Sequence, residues 1–117
     1  MGKLSTHVLD TSIGKPGQGI HIKLFRLTDN QCELLTTTIT NADGRCDHAL
    51  LDGDLFKIGE YQLEFDIGTY FSNQKPNVSP ASFFNQVVIR FQVANAQENY
   101  HVPLVVTPWS YSTYRGS

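Results

Sequence analysis

The chain has 117 residues, 40% of them hydrophobic and 17% charged, with a formal net charge of −2; residues 1–117 are one domain's worth of chain, and the apolar fraction excludes global disorder. Nine Lys and Arg against eleven Asp and Glu form no basic face for nucleic acid and no charged tail. The longest aliphatic stretch, Val102 to Val106, is too short to span a bilayer, and Met1-Gly2-Lys3-Leu4 has no secretory h-region, so a cytoplasmic soluble domain is expected, with an exported or organellar form left open.

The periodicity is two almost everywhere. Leu4 to Asp10 reads as a first strand, with His7 on the face opposite Leu4, Thr6 and Val8. Gly14 to Gly19 is an irregular loop feeding a second strand, in which Ile20, Ile22 and Leu24 alternate with His21 and Lys23. The threonine-rich run Leu34 to Thr40 favours strand over helix, and Asn41-Ala42-Asp43-Gly44 predicts a hairpin turn with Gly44 at positive φ. Another turn falls at Asp52-Gly53-Asp54. Tyr61, Leu63, Phe65 and Ile67 alternate with Gln62, Glu64 and Asp66, the pattern of a half-buried strand. Gly68 to Lys75 is the one place for a short helix, ended by Pro76 and Pro80. Val87 to Val93 and Tyr100 to Thr107 are further alternating strands, and the aromatic run Trp109 to Tyr114 makes a last one. Seven or eight strands with frequent turns predict an all-β protein, an antiparallel two-sheet β-sandwich.

The familiar signatures of nucleophile and metal chemistry are missing. The glycine cluster at 14–19 has no GKS or GKT after it, and there is no GxSxG elbow and no HExxH. Cys32 and Cys46 lack CxxC spacing, which points to neither a zinc site nor a redox pair, and a reducing compartment predicts two free thiols. Four histidines are the remaining candidates. His21 and His48 read as solvated residues. His7 and His101 sit on outward faces of strands that could be neighbours, and imidazole gains and loses a proton near pH 7. The run Trp109 to Ser117 is unusually aromatic for a chain end, so its last residues are expected to be docked rather than frayed.

Together these segments resemble the 5-hydroxyisourate hydrolases, the transthyretin-related proteins of purine catabolism. The matching stretches are Leu4 to Asp10, Gly14-Lys15-Pro16, Asn41 to Arg45, Val88 to Phe91, and Tyr100 to Leu104. The ending Ser112-Thr113-Tyr114-Arg115-Gly116-Ser117 is the most specific, because a tyrosine-arginine-glycine-serine terminus separates the hydrolases from the hormone-carrying transthyretins. One departure stands at Phe83-Phe84-Asn85-Gln86-Val87, where the family commonly has proline and an acidic residue after the two phenylalanines.

The resemblance implies a transthyretin-like sandwich with one short helix, and a homotetramer with active sites in a channel at the dimer–dimer interface. It implies a catalytic set of His7, Arg45 and His101, with substrate bound by Tyr114, Arg115, Gly116 and Ser117, and no metal or organic cofactor. The implied reaction opens the six-membered ring of 5-hydroxyisourate at an acyl–nitrogen bond, giving 2-oxo-4-hydroxy-4-carboxy-5-ureidoimidazoline. Either His101 or His7 serves as the base that activates water. Arg45 stays charged and suits holding an anionic ring or the developing oxyanion. Arg115 and the Ser117 hydroxyl are expected to bond the polar ring edges. The rival readings are a non-catalytic transthyretin-like carrier and a structural or metal-storing sandwich, which fold alone does not separate.

Overall fold

Side chains that alternate along a strand alternate between faces, so each apolar series above must find a second layer to cover it. The computed structural model, which describes residues 1–74 and 82–116, shows how. Among the described residues nine strands form two sheets: β1 (Lys3–Asp10), β2 (Lys15–Pro16), β3 (His21–Thr28), β4 (Gln31–Ile39), β5 (Leu51–Asp52), β6 (Gly59–Asp66), β7 (Gln86–Val93), β8 (Tyr100–Thr107) and β9 (Ser110–Thr113). One sheet runs β2-β1-β8-β9, with β5 also pairing β1, and the other runs β4-β3-β6-β7.

Leu4 and Val8 of β1 and Val102, Leu104 and Val106 of β8 face Ile22, Leu24, Leu63, Phe65 and Val87 across a single apolar core. Each of these side chains contributes roughly 1.5–3 kcal/mol by leaving water. Two polar groups of β1 are buried here with partners. The Thr6 hydroxyl donates to the Val102 carbonyl at 2.6 Å. Asp10, 1% exposed, accepts from the Tyr70 hydroxyl at 2.7 Å and from the Ser12 amide at 2.9 Å. Burial and the Asp10 carboxylate together push the Tyr70 phenol well above its ordinary pKa.

Tyr70 belongs to α1 (Ile67–Gln74), which begins one residue before the expected Gly68. The Asn85 carbonyl accepts from the amides of Ile67 and Gly68, at 3.0 and 2.8 Å, and Asp66 accepts from Thr69, satisfying N–H groups that have no intrahelical partner. Asn85 thus lies at the helix start, and Phe84 beside it stacks edge-on against Tyr111 of β9. The expected stops Pro76 and Pro80 lie outside the described residues.

Three details differ from the sequence expectations. All strand pairings but one are antiparallel, whereas β1 and β8 run parallel. The stretch Asn41 to Gly44 does turn the chain, but no strand follows it. The hairpin of β4 is with β3 instead, and after Gly44 the chain makes a single bridge, Arg45 to His7. The turn at Gly53 tightens into one 3-10 turn, Gly53–Leu55.

Candidate active site

The parallel register sets Ser5 opposite His101 and His7 opposite Pro103. Leu4, Thr6 and Val8 of β1 and Val102 and Leu104 of β8 are buried, so period-two alternation carries Ser5, His7 and His101 to the outer face of the sheet. His7 and His101 are thereby diagonal neighbours on adjacent strands. Ser5 Oγ and His101 Nδ1 are 2.9 Å apart, a hydrogen bond built directly by the register.

Arg45 is delivered by the turn. Asn41 Oδ1 accepts from the amides of Asp43 and Arg45, at 2.9 and 3.2 Å, and Gly44 has φ +74°. The Gly44 carbonyl accepts from the Val8 amide at 2.8 Å. A Cβ on Gly44 would collide with the carbonyl oxygen of Val8, so glycine is required both by its φ and by this close approach. The result is the antiparallel bridge that puts Arg45 beside His7.

The end of the chain closes the other side of β8. Gly116 bridges His101, its amide donating to the His101 carbonyl at 2.6 Å. Gly116 is small for a reason different from a turn: a Cβ there would lie 2.8 Å from His101 Cδ2. Continuing the β8–β9 register places Tyr114 and Gly116 on the His101 side of the strand and Thr113 and Arg115 on the other. Arg115 accordingly points away from the imidazole. Its guanidinium lies 4.0 Å over the Tyr100 ring, pairs with Glu98 at 3.2 Å and donates to the Asn99 carbonyl. The structure thus brings together His7, Arg45, His101 and Gly116, leaves Tyr114 largely exposed on the same face, and turns Arg115 onto the β7–β8 loop. Ser117 lies outside the described residues.

Electrostatics reinforce the grouping. Burial, then the Arg45 guanidinium, then His7 hold the His101 imidazole below its ordinary pKa. Desolvation and neighbouring positive charge both penalise imidazolium. Arg45 makes no ion pair among the described residues, so its charge is not spent on a carboxylate. The neutral ring is the form able to accept a proton.

A groove of about 290 Å³ opens beside this cluster, lined by Lys3, Ser5, Arg45, Cys46, Asp47 and His48 among others. His48, read from sequence as a solvated residue, therefore borders the site. Ser5 was also passed over, although it lies two residues before His7 and hence on the same strand face. That spacing was the signal available. His21 is exposed on β3 in the other sheet. Cys32 and Cys46 are free thiols. Among the described residues no group of three or more His, Cys, Asp or Glu is close enough to hold a metal ion.

Comparison with known proteins separates shape from chemistry. A protein of Pseudomonas aeruginosa named 5-hydroxyisourate hydrolase is 51% identical over 117 residues, covering 100% of this chain and 93% of its own. The structure of 5-hydroxyisourate hydrolase from Klebsiella pneumoniae superposes with a TM-score of 0.82 at 33% identity, with all of both chains covered. Sea bream transthyretin, solved in complex with thyroxine, superposes with a TM-score of 0.86 at 26% identity, covering 97% of this chain and 94% of that one. The hormone-binding protein thus matches the backbone at least as well as the hydrolase, while residue identity runs the other way. Residues 4–116 match the HIUase/Transthyretin family, and the chain belongs to it.

Proposed function

We propose that the protein hydrolyses 5-hydroxyisourate, opening its ring at a cyclic acyl–nitrogen bond in urate degradation. One observation carries the reading: the His101 imidazole, bonded through Nδ1 to Ser5, is held below its ordinary pKa by burial and by the charge of Arg45, an arginine that makes no ion pair among the described residues. A base and a fixed cation on one face are what hydrolysis of an acyl–nitrogen bond by water requires. His101 takes a proton from water as the oxygen attacks the acyl carbon. Arg45 holds the oxyanion that develops there, and His7, diagonal to His101, gives a proton to the departing ring nitrogen. Names of relatives at 42–51% identity support the same substrate.

The groove of one chain, about 290 Å³, lies at the lower end of the range typical of ligand pockets, about 300–1,000 Å³. We further propose a homotetramer in which a second copy covers this face. Among the described residues the edge strands β7 and β9 each lack a neighbour on one side, and Trp109, Tyr111 and Tyr114 are exposed along the β9 segment. A row of unpaired backbone groups flanked by exposed aromatic rings suits association of identical chains.

The decisive experiment generates 5-hydroxyisourate in situ from urate and follows its ultraviolet decay. Decay accelerated in proportion to added protein is expected. Decay at the spontaneous rate, with the protein folded, would return the chain to the carrier reading that the transthyretin match allows.

A further inference from the structure

His101 is clamped from both sides. On the β1 side its Nδ1 meets Ser5 Oγ at 2.9 Å. On the β9 side its Cδ2 edge lies so near Gly116 that even a methyl group there would stand 2.8 Å away. Nδ1 and Cδ2 are the two ring atoms bonded to Cγ, so these contacts fix the ring's rotation and leave Nε2 on the edge away from Cγ, with no hydrogen-bond partner among the described residues. No second partner for the Ser5 hydroxyl occurs among the described residues. It is therefore free to turn a lone pair toward the imidazole while its own hydrogen points to solvent.

We propose that Ser5 is a positioning residue for His101, accepting a hydrogen bond from Nδ1–H and so holding the neutral ring in the tautomer whose unprotonated nitrogen is Nε2. The bond made by one ring nitrogen decides which nitrogen carries the proton. With the proton on Nδ1, the Nε2 lone pair is available. The water O–H bond breaks as the proton moves to Nε2 and the oxygen bonds to the acyl carbon. When the acyl–nitrogen bond then breaks, His7 gives the leaving nitrogen a proton, and the proton held on Nε2 passes to His7, directly or through water, so that both rings return to their starting state. With the opposite tautomer Nε2 already carries hydrogen and the first step has no acceptor. Ser5 does this through His101. The assignment rests on the reading of His101 as base, and extends it to the residue that makes the base competent.

The test reads the proton directly. Protein labelled with nitrogen-15 is examined by long-range proton–nitrogen correlation at about pH 8.5, where imidazole is neutral. The expected wild-type spectrum shows His101 protonated on Nδ1 and bare on Nε2. Ser5→Ala should move protonation toward Nε2 and lower kcat about 10- to 100-fold with little change in KM, the usual scale for losing a group that orients a reacting side chain. Ser5→Thr keeps a hydroxyl at the same place and should restore both the spectrum and kcat. A wild-type ring protonated on Nε2 overturns the proposal, and so does Ser5→Ala with unchanged tautomer and kcat. The wild-type spectrum decides even if Ser5→Ala fails to fold. Absence of 5-hydroxyisourate turnover by the wild type would remove the reading of the site, whereas the position of the proton would still decide the role of Ser5.

Discussion

The sandwich has two outer faces made by the same alternation, and they use their polar residues in opposite ways. On the β4-β3-β6-β7 sheet the polar groups satisfy one another: Gln62 donates to Glu64 at 2.7 Å and Arg90 donates to Gln62 at 2.7 Å. On the β2-β1-β8-β9 sheet, Arg45 and His7 each push the His101 imidazole toward its neutral form, and no carboxylate pairs with Arg45 among the described residues. The first arrangement satisfies its polar groups locally, including Gln62, which is buried. The second leaves a guanidinium beside imidazoles with no carboxylate to pair it, the kind of perturbed grouping that makes a functional-site candidate.

Removing the imidazoles breaks this contrast most severely. His7→Ala and His101→Ala should each lower turnover by about 100-fold or more, with the circular dichroism spectrum retained because neither side chain lies in the core. The double variant should be little worse than the worse single one, since groups acting on one step are not additive. Steady-state kinetics on matched, folded samples check both.

Crowding the clamp comes next. Gly116→Val places branched carbons where a Cβ alone would already stand 2.8 Å from His101, so the ring must tilt. About a tenfold loss of kcat is expected, the lower part of the range for a displaced base. A variant with wild-type kinetics would show that the ring has room to spare.

The charge environment sets the acid limb of activity. Because Arg45 lowers the His101 pKa, replacing it with Gln should move the acid limb of kcat/KM to higher pH, while the amplitude also falls. The same sign governs stability. His101 binds its proton less readily folded than unfolded, so its unfavourable contribution is absent above about pH 6.5 and grows as the pH falls from there through the folded-state pKa. Measuring the pH-rate profile of the two proteins checks the shift.

The smallest effect belongs to Arg115. Its ion pair with Glu98 is half-exposed, and such pairs contribute at most about 1 kcal/mol. Glu98→Gln should therefore change kcat/KM by no more than about fivefold, consistent with a guanidinium that steadies the strand from behind. A hundredfold loss would mean that Arg115 reaches substrate.

The legible parts of this molecule were those written locally. Alternation placed His7 and His101 outward because each sits between buried neighbours on its own strand. The helix start was legible to within one residue, since Ile67 ends one period and begins another. What local pattern does not encode is which strands pair. The parallel β1–β8 register joins residues 96 positions apart, and only that register brings Ser5 to His101. The turn at Asn41 to Gly44 looked like a hairpin because its residues favour the right dihedrals, yet Gly44 serves a close approach to Val8. The expectation for Arg115 came from a specific tetrapeptide in which every residue reads as part of one site, whereas alternation sends neighbouring side chains to opposite faces and sets its guanidinium over Tyr100.

The most direct test sets one histidine of each outer face against the other. Progress curves for 5-hydroxyisourate decay would be recorded for wild type, His101→Ala and His21→Ala at equal concentrations of folded protein. His21→Ala should follow the wild-type curve, and His101→Ala should fall close to the spontaneous one. Equal losses in both variants, or none in His101→Ala, would contradict the assignment of chemistry to the outer face of the β1–β8 sheet.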